Sequence, residues 1–264
     1  MARILFASAS PASSGAQPVG DDREFRAIKQ AIRDVGCLDD GLVSELACGI
    51  DDLRNALIRH APALLHVAAH GSPAGLLLEN GSGGGHELSA RGLVELVAAS
   101  DHTRKVVLNV CWSDALAEKL LRVDHVECVI GMSKEVDRDS AIKFAAGFHA
   151  SLARGDSIAK ACKFGRAAIS SNSLPDESVP MIRCREGVDP GTLTLPSSRA
   201  SRDDAAATQP DRVIDVPHGT YIERVGALTV RQGIVQEMRG SPGGVQQIVG
   251  GDVKGPMTGR GTGP

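Results

Sequence analysis

The sequence predicts an α/β protein, a three-layer sandwich in which helices cover both faces of a mostly parallel six-stranded sheet. Six runs rich in aliphatic and β-branched residues are typical of strands buried on both faces, at residues 2–10, 42–49, 64–72, 105–113, 125–136 and 178–187. Segments whose apolar residues recur at helical spacing lie between them, at residues 22–36, 50–62, 89–101, 113–121, 139–155 and 156–171. Strands that alternate with helices in this way favour a parallel sheet.

The first two helices have the signals expected of scaffold elements. The first begins at Asp21 or Asp22, ends at Gly36 and has one apolar stripe, formed by Phe25, Ile28, Ala31, Ile32 and Val35. The second stops before Pro62. The Ser-, Gly- and Pro-rich loop at residues 11–22 could cradle a phosphate, but it lacks a GxGxxG motif and the Walker spacing. An ordinary surface loop is therefore favoured.

Later helices and the cysteines add structural expectations. Asp139 and Asp156 precede two amphipathic helices and are the predicted helix caps. The six cysteines show neither a CxxC pair nor a zinc spacing, so we expect no metal and no cofactor. Cys48, Cys128 and Cys184 lie in strand-like runs and are most simply small core residues with reduced thiols.

His70 and Cys111 are the candidate catalytic residues, because each comes at the end of a predicted buried strand. The segment between those strands is predicted to be a helix, so the two strands should be parallel and adjacent or nearly so. The carboxyl ends of parallel strands face the side where open α/β sheets bind ligands. An imidazole and a thiol brought together there suit a cysteine protease, in which the thiolate attacks and the imidazole protonates the leaving amine.

Further features favour this chemistry over a packing role. Small residues at positions 68–72 leave room for a backbone beside His70. Backbone N–H groups of Gly71 and Cys111 are candidate donors for an oxyanion hole. The His precedes the Cys by roughly 40 residues, which is similar to the caspase-type order. A helix predicted to begin near residue 113 would favour a thiolate at Cys111.

Four short motifs also resemble a known family. They are His70-Gly71, Gly-Leu-Leu-Leu-Glu at residues 75–79, Asn-Val-Cys-Trp-Ser at residues 109–113 and Ile-Gly-Met at residues 130–132. Together they resemble the CHAT family of caspase-like cysteine peptidases, over about residues 3–186. The resemblance implies a caspase-type fold, a dyad of Cys111 and His70, and endopeptidase activity. It further implies an effector of bacterial immunity or regulated cell death that cuts a partner protein, gasdermin-like pore formers being one substrate class.

The composition argues against several other classes of protein. The net charge is −3, with 29 basic and 32 acidic side chains, so no bulk attraction to nucleic acid or to a membrane is expected. Aromatic residues make up 3%, which argues against a platform for stacking bases. No run of 18 apolar residues occurs, and the amino terminus enters a strand directly. We therefore expect a cytoplasmic protein.

The chain is expected to divide into a peptidase domain at residues 1–188, a linker at 189–217 and a tail at 218–264. The tail has short Val, Ile and Gln segments between glycines, with near-repeats at residues 234–240 and 245–251. Such segments suit a stacked cross-β arc, and a disordered or hairpin tail is the alternative. One run resembles short amyloid signalling motifs: Val245, Gln246, Gln247, Ile248, Val249 and Gly250.

Three functions remain in competition. The leading one is a cysteine endopeptidase, activated by a sensor or activator protein or by clustering through the tail. The alternative is a non-enzymatic adaptor, although a scaffold needs neither His70 nor Cys111. A flavodoxin-like cofactor binder would show flavin absorbance. For a peptidase, the first substrate pocket is expected beside the strand end near Met132, where Asp137 and Asp139 could bind Arg or Lys.

Overall fold

The computed structural model describes residues 4–11, 22–39, 41–71 and 74–195 with their side chains. It also describes the backbone of residues 212–216, 219–224 and 227–231. The chain forms two compact units, residues 1–198 and residues 199–264.

The central sheet of the first unit contains six strands. They are β1 (Ile4–Ser8), β2 (Leu42–Glu45), β3 (Leu64–Ala68), β7 (Lys105–Asn109), β8 (Cys128–Met132) and β9 (Pro180–Cys184). Their spatial order is β2-β1-β3-β7-β8-β9, and only β9 runs antiparallel to its neighbour. Every residue of β1, β3, β7 and β8 is buried, which explains the continuous apolar runs. The predicted mostly parallel six-stranded sheet is confirmed.

Three helices pack on each face of this sheet. One face is covered by α1 (Asp22–Asp34), α5 (Arg138–Ala153) and α6 (Ile158–Ser171), whose side chains join the core that contains Phe6 and Val107. The other is covered by α2 (Ile50–His60), α3 (Ala90–Ala98) and α4 (Asp114–Leu120), which pack against Leu65 and Leu108. Successive residues of a strand point to opposite faces, so each inner strand contributes to both cores. The three-layer α/β/α sandwich is confirmed.

A second, antiparallel sheet lies between β3 and α3 in the chain. It consists of β4 (His70–Gly71), β5 (Gly75–Glu79) and β6 (Gly85–Ser89), in that spatial order. The hairpin predicted for residues 72–89 is thus present, with the His70 segment as a third strand. Glu79 links this second sheet to the segment that follows β1, because its carboxylate accepts a hydrogen bond from the backbone N–H of Ser10 at 3.0 Å.

Two predicted helix caps are wrong by one or two residues. Asp137, not Asp139, caps α5: its carboxylate accepts hydrogen bonds from two backbone N–H groups in the first turn. The hydroxyl of Ser157, not the carboxylate of Asp156, caps α6. Asp156 instead binds the Lys160 ammonium group at 2.7 Å. The cap is the last residue with extended backbone dihedrals, and a sequence pattern cannot locate that residue to a single position.

The sandwich extends beyond residue 189, where the linker was predicted to begin. The carbonyl oxygens of Pro190 and Leu193 accept hydrogen bonds from the first turn of α6, and Leu195 is buried against the core. Residues 190–195 therefore pack as part of the first unit.

The described part of the second unit is a three-stranded antiparallel sheet. Its strands are β10 (Arg212–Val216), which lies within the predicted linker, β11 (Gly219–Arg224) and β12 (Ala227–Arg231). The predicted assembly run, residues 245–250, lies outside the described residues. Among the residues that are described, no helix is both long enough and apolar enough to cross a bilayer.

Candidate active site

The segments that carry His70 and Cys111 lie at the same edge of the central sheet. β3 and β7 are parallel neighbours, as predicted, and their last residues, Ala68 and Asn109, are paired. His70 follows β3 by two residues and begins β4, while Cys111 follows β7 by two residues. Both residues are partly buried. The carboxyl ends of the two strands therefore bring together segments that are distant in the chain.

Gly71 packs directly against the segment that contains Cys111. A β-carbon added to Gly71 would overlap the backbone carbonyl oxygen of Cys111 and would lie 3.0 Å from Cγ1 of Val110. Only a residue without a side chain allows the two backbones to approach so closely. This contact joins the backbones whose N–H groups were predicted to form an oxyanion hole.

His70 lies in an environment that favours its neutral form. Its Nε2 atom is buried and has no hydrogen-bond partner within the described part of the chain. Burial lowers the pKa of His70 below its ordinary value, because a charged imidazolium loses solvation there. A neutral imidazole at physiological pH is able to accept a proton.

The loop after β7 has an unusual backbone at Trp112. This residue has φ of +58°, a left-handed conformation that bulky side chains rarely adopt. Its N–H donates to the carbonyl oxygen of Lys134 at 3.3 Å, and the residue is 68% exposed. The turn at Trp112 separates Cys111 from the start of α4.

Ser113 and Asp114 fasten this loop to the neighbouring strands. The buried Ser113 hydroxyl donates to the carbonyl oxygen of Leu108 at 3.1 Å and accepts from the N–H of Met132 at 2.9 Å. Asp114 forms a bidentate ion pair with Arg183 on β9, with both N···O distances at 2.5 Å. The Arg183 guanidinium lowers the pKa of Asp114. The loop that holds Cys111 is thus tied to β7, β8 and β9.

The three residues predicted to form a substrate pocket do not share one environment. Met132 is completely buried, and its side chain belongs to the core beneath α5. Asp137 is exposed, but its carboxylate caps α5. Asp139 is exposed in the first turn of the same helix, and the structure gives its carboxylate no role as a cap. Of the two acidic residues, Asp139 is therefore the better candidate for binding a basic side chain of the substrate.

A buried polar cluster next to the site was missed in the sequence. It comprises Glu24, His66, Asn109 and His149, all between 0% and 3% exposed. The available signals were a charged residue on the apolar face of α1, four residues before Ile28, and a histidine in the middle of an apolar strand. Neither signal shows that the two side chains meet.

Comparison with known proteins assigns the family. A model of the CHAT domain matches residues 19–194, well over half of the chain. The chain belongs to the CHAT domain family. The matched region extends from just before α1 to the turn that follows β9, so it includes both His70 and Cys111.

One relative similar to this CHAT domain is a Roc-COR-CHAT protease from an unknown prokaryotic organism. It is 27% identical over an alignment of 187 residues, which covers 66% of this chain and 17% of that protein. The chain thus corresponds to about a sixth of the relative's length.

A solved structure of a cysteine proteinase shares this fold. The Arg-specific cysteine proteinase gingipain R is 12% identical with a TM-score of 0.50, covering 73% of this chain and 47% of that chain. A secreted C11 cysteine protease from Bacteroides thetaiotaomicron, in complex with an irreversible peptide inhibitor, is 10% identical with a TM-score of 0.46, covering 65% and 59%. The CHAT domain has a caspase-like sandwich.

Proposed function

We propose that this CHAT domain is a cysteine endopeptidase in which Cys111 is the nucleophile and His70 is the general acid and base. The contact between Gly71 and the carbonyl of Cys111 carries the proposal, because it joins the His segment to the Cys segment. The lowered pKa of the partly buried His70 imidazole supports it, since a base must be unprotonated at the working pH.

The proposed reaction proceeds through a thioester. His70 takes the proton of Cys111, and Sγ attacks the carbonyl carbon of the scissile peptide bond. The negative charge that develops on the carbonyl oxygen is stabilised by the N–H groups of Gly71 and Cys111. His70 then gives its proton to the leaving amine. In the second half, His70 takes a proton from water and the hydroxide attacks the thioester carbon. The C–S bond breaks, His70 returns the proton to Sγ, and the product leaves as a carboxylic acid.

Labelling with peptidyl electrophiles tests this dyad. We expect a peptidyl chloromethyl ketone library to modify Cys111, as read by mass spectrometry of the peptide that contains it. Cys111→Ala should abolish cleavage of a peptide library. His70→Ala should slow cleavage by about 10³-fold or more, because the two groups act as a unit.

Cys37→Ala is the matched control, because Cys37 is also a partly buried free thiol but contacts the carbonyl oxygen of Ala153 instead. It should leave both labelling and cleavage unchanged. Full proteolytic activity in Cys111→Ala would refute the proposal. A protein that folds but shows neither labelling nor cleavage in any activated state would favour the adaptor function instead.

We further propose that the substrate is a partner protein cut once the peptidase is activated, in bacterial immunity or regulated cell death. The support is the family itself and a prokaryotic relative whose name joins a CHAT protease to Roc and COR segments. A sensor or activator protein, acting on the tail, would supply the signal. Proteomic comparison of cleaved termini in cells that express the active or the Cys111→Ala chain identifies the substrate; identical termini in both would contradict the proposal.

Asp139 is proposed to favour Arg or Lys before the scissile bond. A charge-assisted hydrogen bond is worth roughly 1.5–3 kcal/mol, so Asp139→Asn should lower the preference for Arg over Leu by roughly 10- to 100-fold. Competing peptides that differ only at that position measure the ratio of their kcat/KM values. Glu135→Gln, at another exposed acidic residue, is the control. A wild-type preference for acidic or apolar residues would reject this role.

A further inference from the structure

The buried cluster of Glu24, His66, Asn109 and His149 has a specific place beneath the active site. Oε1 of Glu24, on α1, accepts a hydrogen bond from Nδ2 of Asn109 at 2.8 Å. The same oxygen lies 3.0 Å from Nε2 of His66, although the two atoms are not aligned for a hydrogen bond. The Glu24 side chain is only 3% exposed. Buried carboxylates are rare because their desolvation costs free energy, so we expect this one to have a functional role.

The two partners of Glu24 belong to the two strands that lead to the dyad. His66 lies on β3, four residues before His70, and Asn109 is the last residue of β7, two residues before Cys111. Ala68 and Asn109 are paired across these strands. A single oxygen atom therefore contacts the middle residue of β3 and the last residue of β7.

Helix α5 completes the cluster from the same face of the sheet. Nδ1 of His66 lies 2.7 Å from Nε2 of His149. Nδ2 of Asn109 also contacts the carbonyl oxygen of Ala141 at 3.2 Å. The last side chain of β7 before the Cys111 loop is thus held by α1 and α5 together.

Stability alone does not account for such a cluster. Buried polar groups can often be replaced by apolar side chains of similar volume without loss of stability. Catalysis has a stricter requirement, because a displacement of about 1 Å can cost about 10²-fold in rate. A hydrogen-bonded side chain next to the nucleophile loop restricts such displacements.

We propose that Glu24 is a positioning residue, whose buried carboxylate links His66 in the middle of β3 to Asn109 at the end of β7 and thereby places Cys111 against His70. This inference rests on the proposed peptidase function. Glu24 acts through Asn109 and His66 and does not touch the substrate.

The test measures the rate of Cys111 alkylation by iodoacetamide at pH 7 in the full chain, with the Cys111 peptide resolved from the other cysteines by mass spectrometry. In the wild type, His70 should accelerate alkylation by taking the proton of Cys111, so His70→Ala should slow it. Glu24→Ala and Asn109→Ala should each lower the alkylation rate by about tenfold or more, because they displace Cys111 from His70. Glu24→Gln, which keeps an acceptor oxygen for Asn109, should restore most of the rate.

Lys105→Met is the matched control for a general loss of stability. Lys105 is a buried charge at the opposite end of β7, paired with Glu127 at 3.0 Å. Lys105→Met should lower the denaturation midpoint and leave the rate of Cys111 alkylation unchanged.

Each outcome decides between the two proposals. A Cys111 alkylation rate that His70→Ala leaves unchanged would refute the peptidase function. A rate that depends on His70 but that Glu24→Ala and Asn109→Ala leave unchanged, or that Lys105→Met lowers equally, would refute the positioning role alone. Failure of both alanine variants to fold would also overturn it, because the cluster would then be required for folding.

Discussion

The α-carbon of Gly71 lies so close to the backbone carbonyl of Cys111 that a methyl group would overlap the oxygen. Gly71→Ala should therefore push β4 away from the Cys111 loop. We expect kcat/KM for peptide cleavage to fall on the order of 10²-fold, with roughly 1–3 kcal/mol lost in the free energy of unfolding.

Gly155→Ala separates the effect on the site from the effect on stability. Gly155 has φ of +88° in open space between α5 and α6, so alanine should cost roughly 1–2 kcal/mol through backbone strain alone. We expect it to keep full activity at a temperature where it is folded. Equal activity in the two variants would show that the Gly71 contact does not position the site.

His149 makes the stability of the sandwich sensitive to mild acid. Complete burial, and then the neighbouring His66, lower the pKa of His149 well below its ordinary value. In the unfolded chain a histidine titrates near 6.5, so below that pH the unfolded state binds a proton that the native state excludes. Stability is therefore fully present above about pH 6.5 and falls as the pH decreases, by up to about 1.4 kcal/mol per pH unit.

Urea denaturation at several pH values between 5 and 7.5 measures this dependence. The lowered pKa of His70 acts in the same direction, whereas the lowered pKa of Asp114 affects stability only below about pH 4. His149→Gln should flatten the decline, and His86→Gln, at an exposed histidine, should not. An unchanged slope in His149→Gln would contradict the assignment.

Cys128 and Cys184 should form a disulfide under oxidising conditions. They are opposite each other on β8 and β9, and their sulfur atoms are 3.0 Å apart. Directly opposed residues of an antiparallel pair have the α-carbon separation that a disulfide requires. Diamide should remove the two thiol hydrogens, and digestion should yield a cross-linked peptide of β8 and β9. Cys184→Ser should lack it; cross-linking elsewhere in preference to this pair would count against the geometry.

The tail is expected to drive assembly. Short β-prone segments leave open edges that identical segments from other chains could satisfy by stacking, which would raise the local concentration of the peptidase. Removal of residues after Pro217 should leave a folded monomer that still reacts at Cys111. The isolated tail, or a partner with a similar motif, should form thioflavin-positive fibrils.

Proline substitutions test whether the tail fibrils use a β-ladder. Gln246→Pro or Ile248→Pro should block the fibrils by removing ladder donors. A tail peptide that stays monomeric at high concentration, alone and with candidate partner motifs, would refute assembly.

Much of the fold could be predicted from the sequence because its main signals are local. Fully buried strands such as β3 and β7 require continuous apolar runs, and the helix between them restricts the pair to a parallel arrangement. Parallel neighbours share a carboxyl edge, which is why His70 and Cys111 could be singled out from residues roughly 40 positions apart.

Only the tertiary structure decided which distant side chains meet. Glu24 and Asn109 are 85 residues apart, and no periodic pattern connects an acidic residue on one helix with an amide at the end of one strand. The backbone of Asp137 is extended, so Asp137 caps α5 and Asp139 lies within its first turn. The sequence pattern did not show which of the two aspartates has the extended backbone. Local patterns determine which surfaces must be buried, whereas the packing of those surfaces determines the atoms that come into contact.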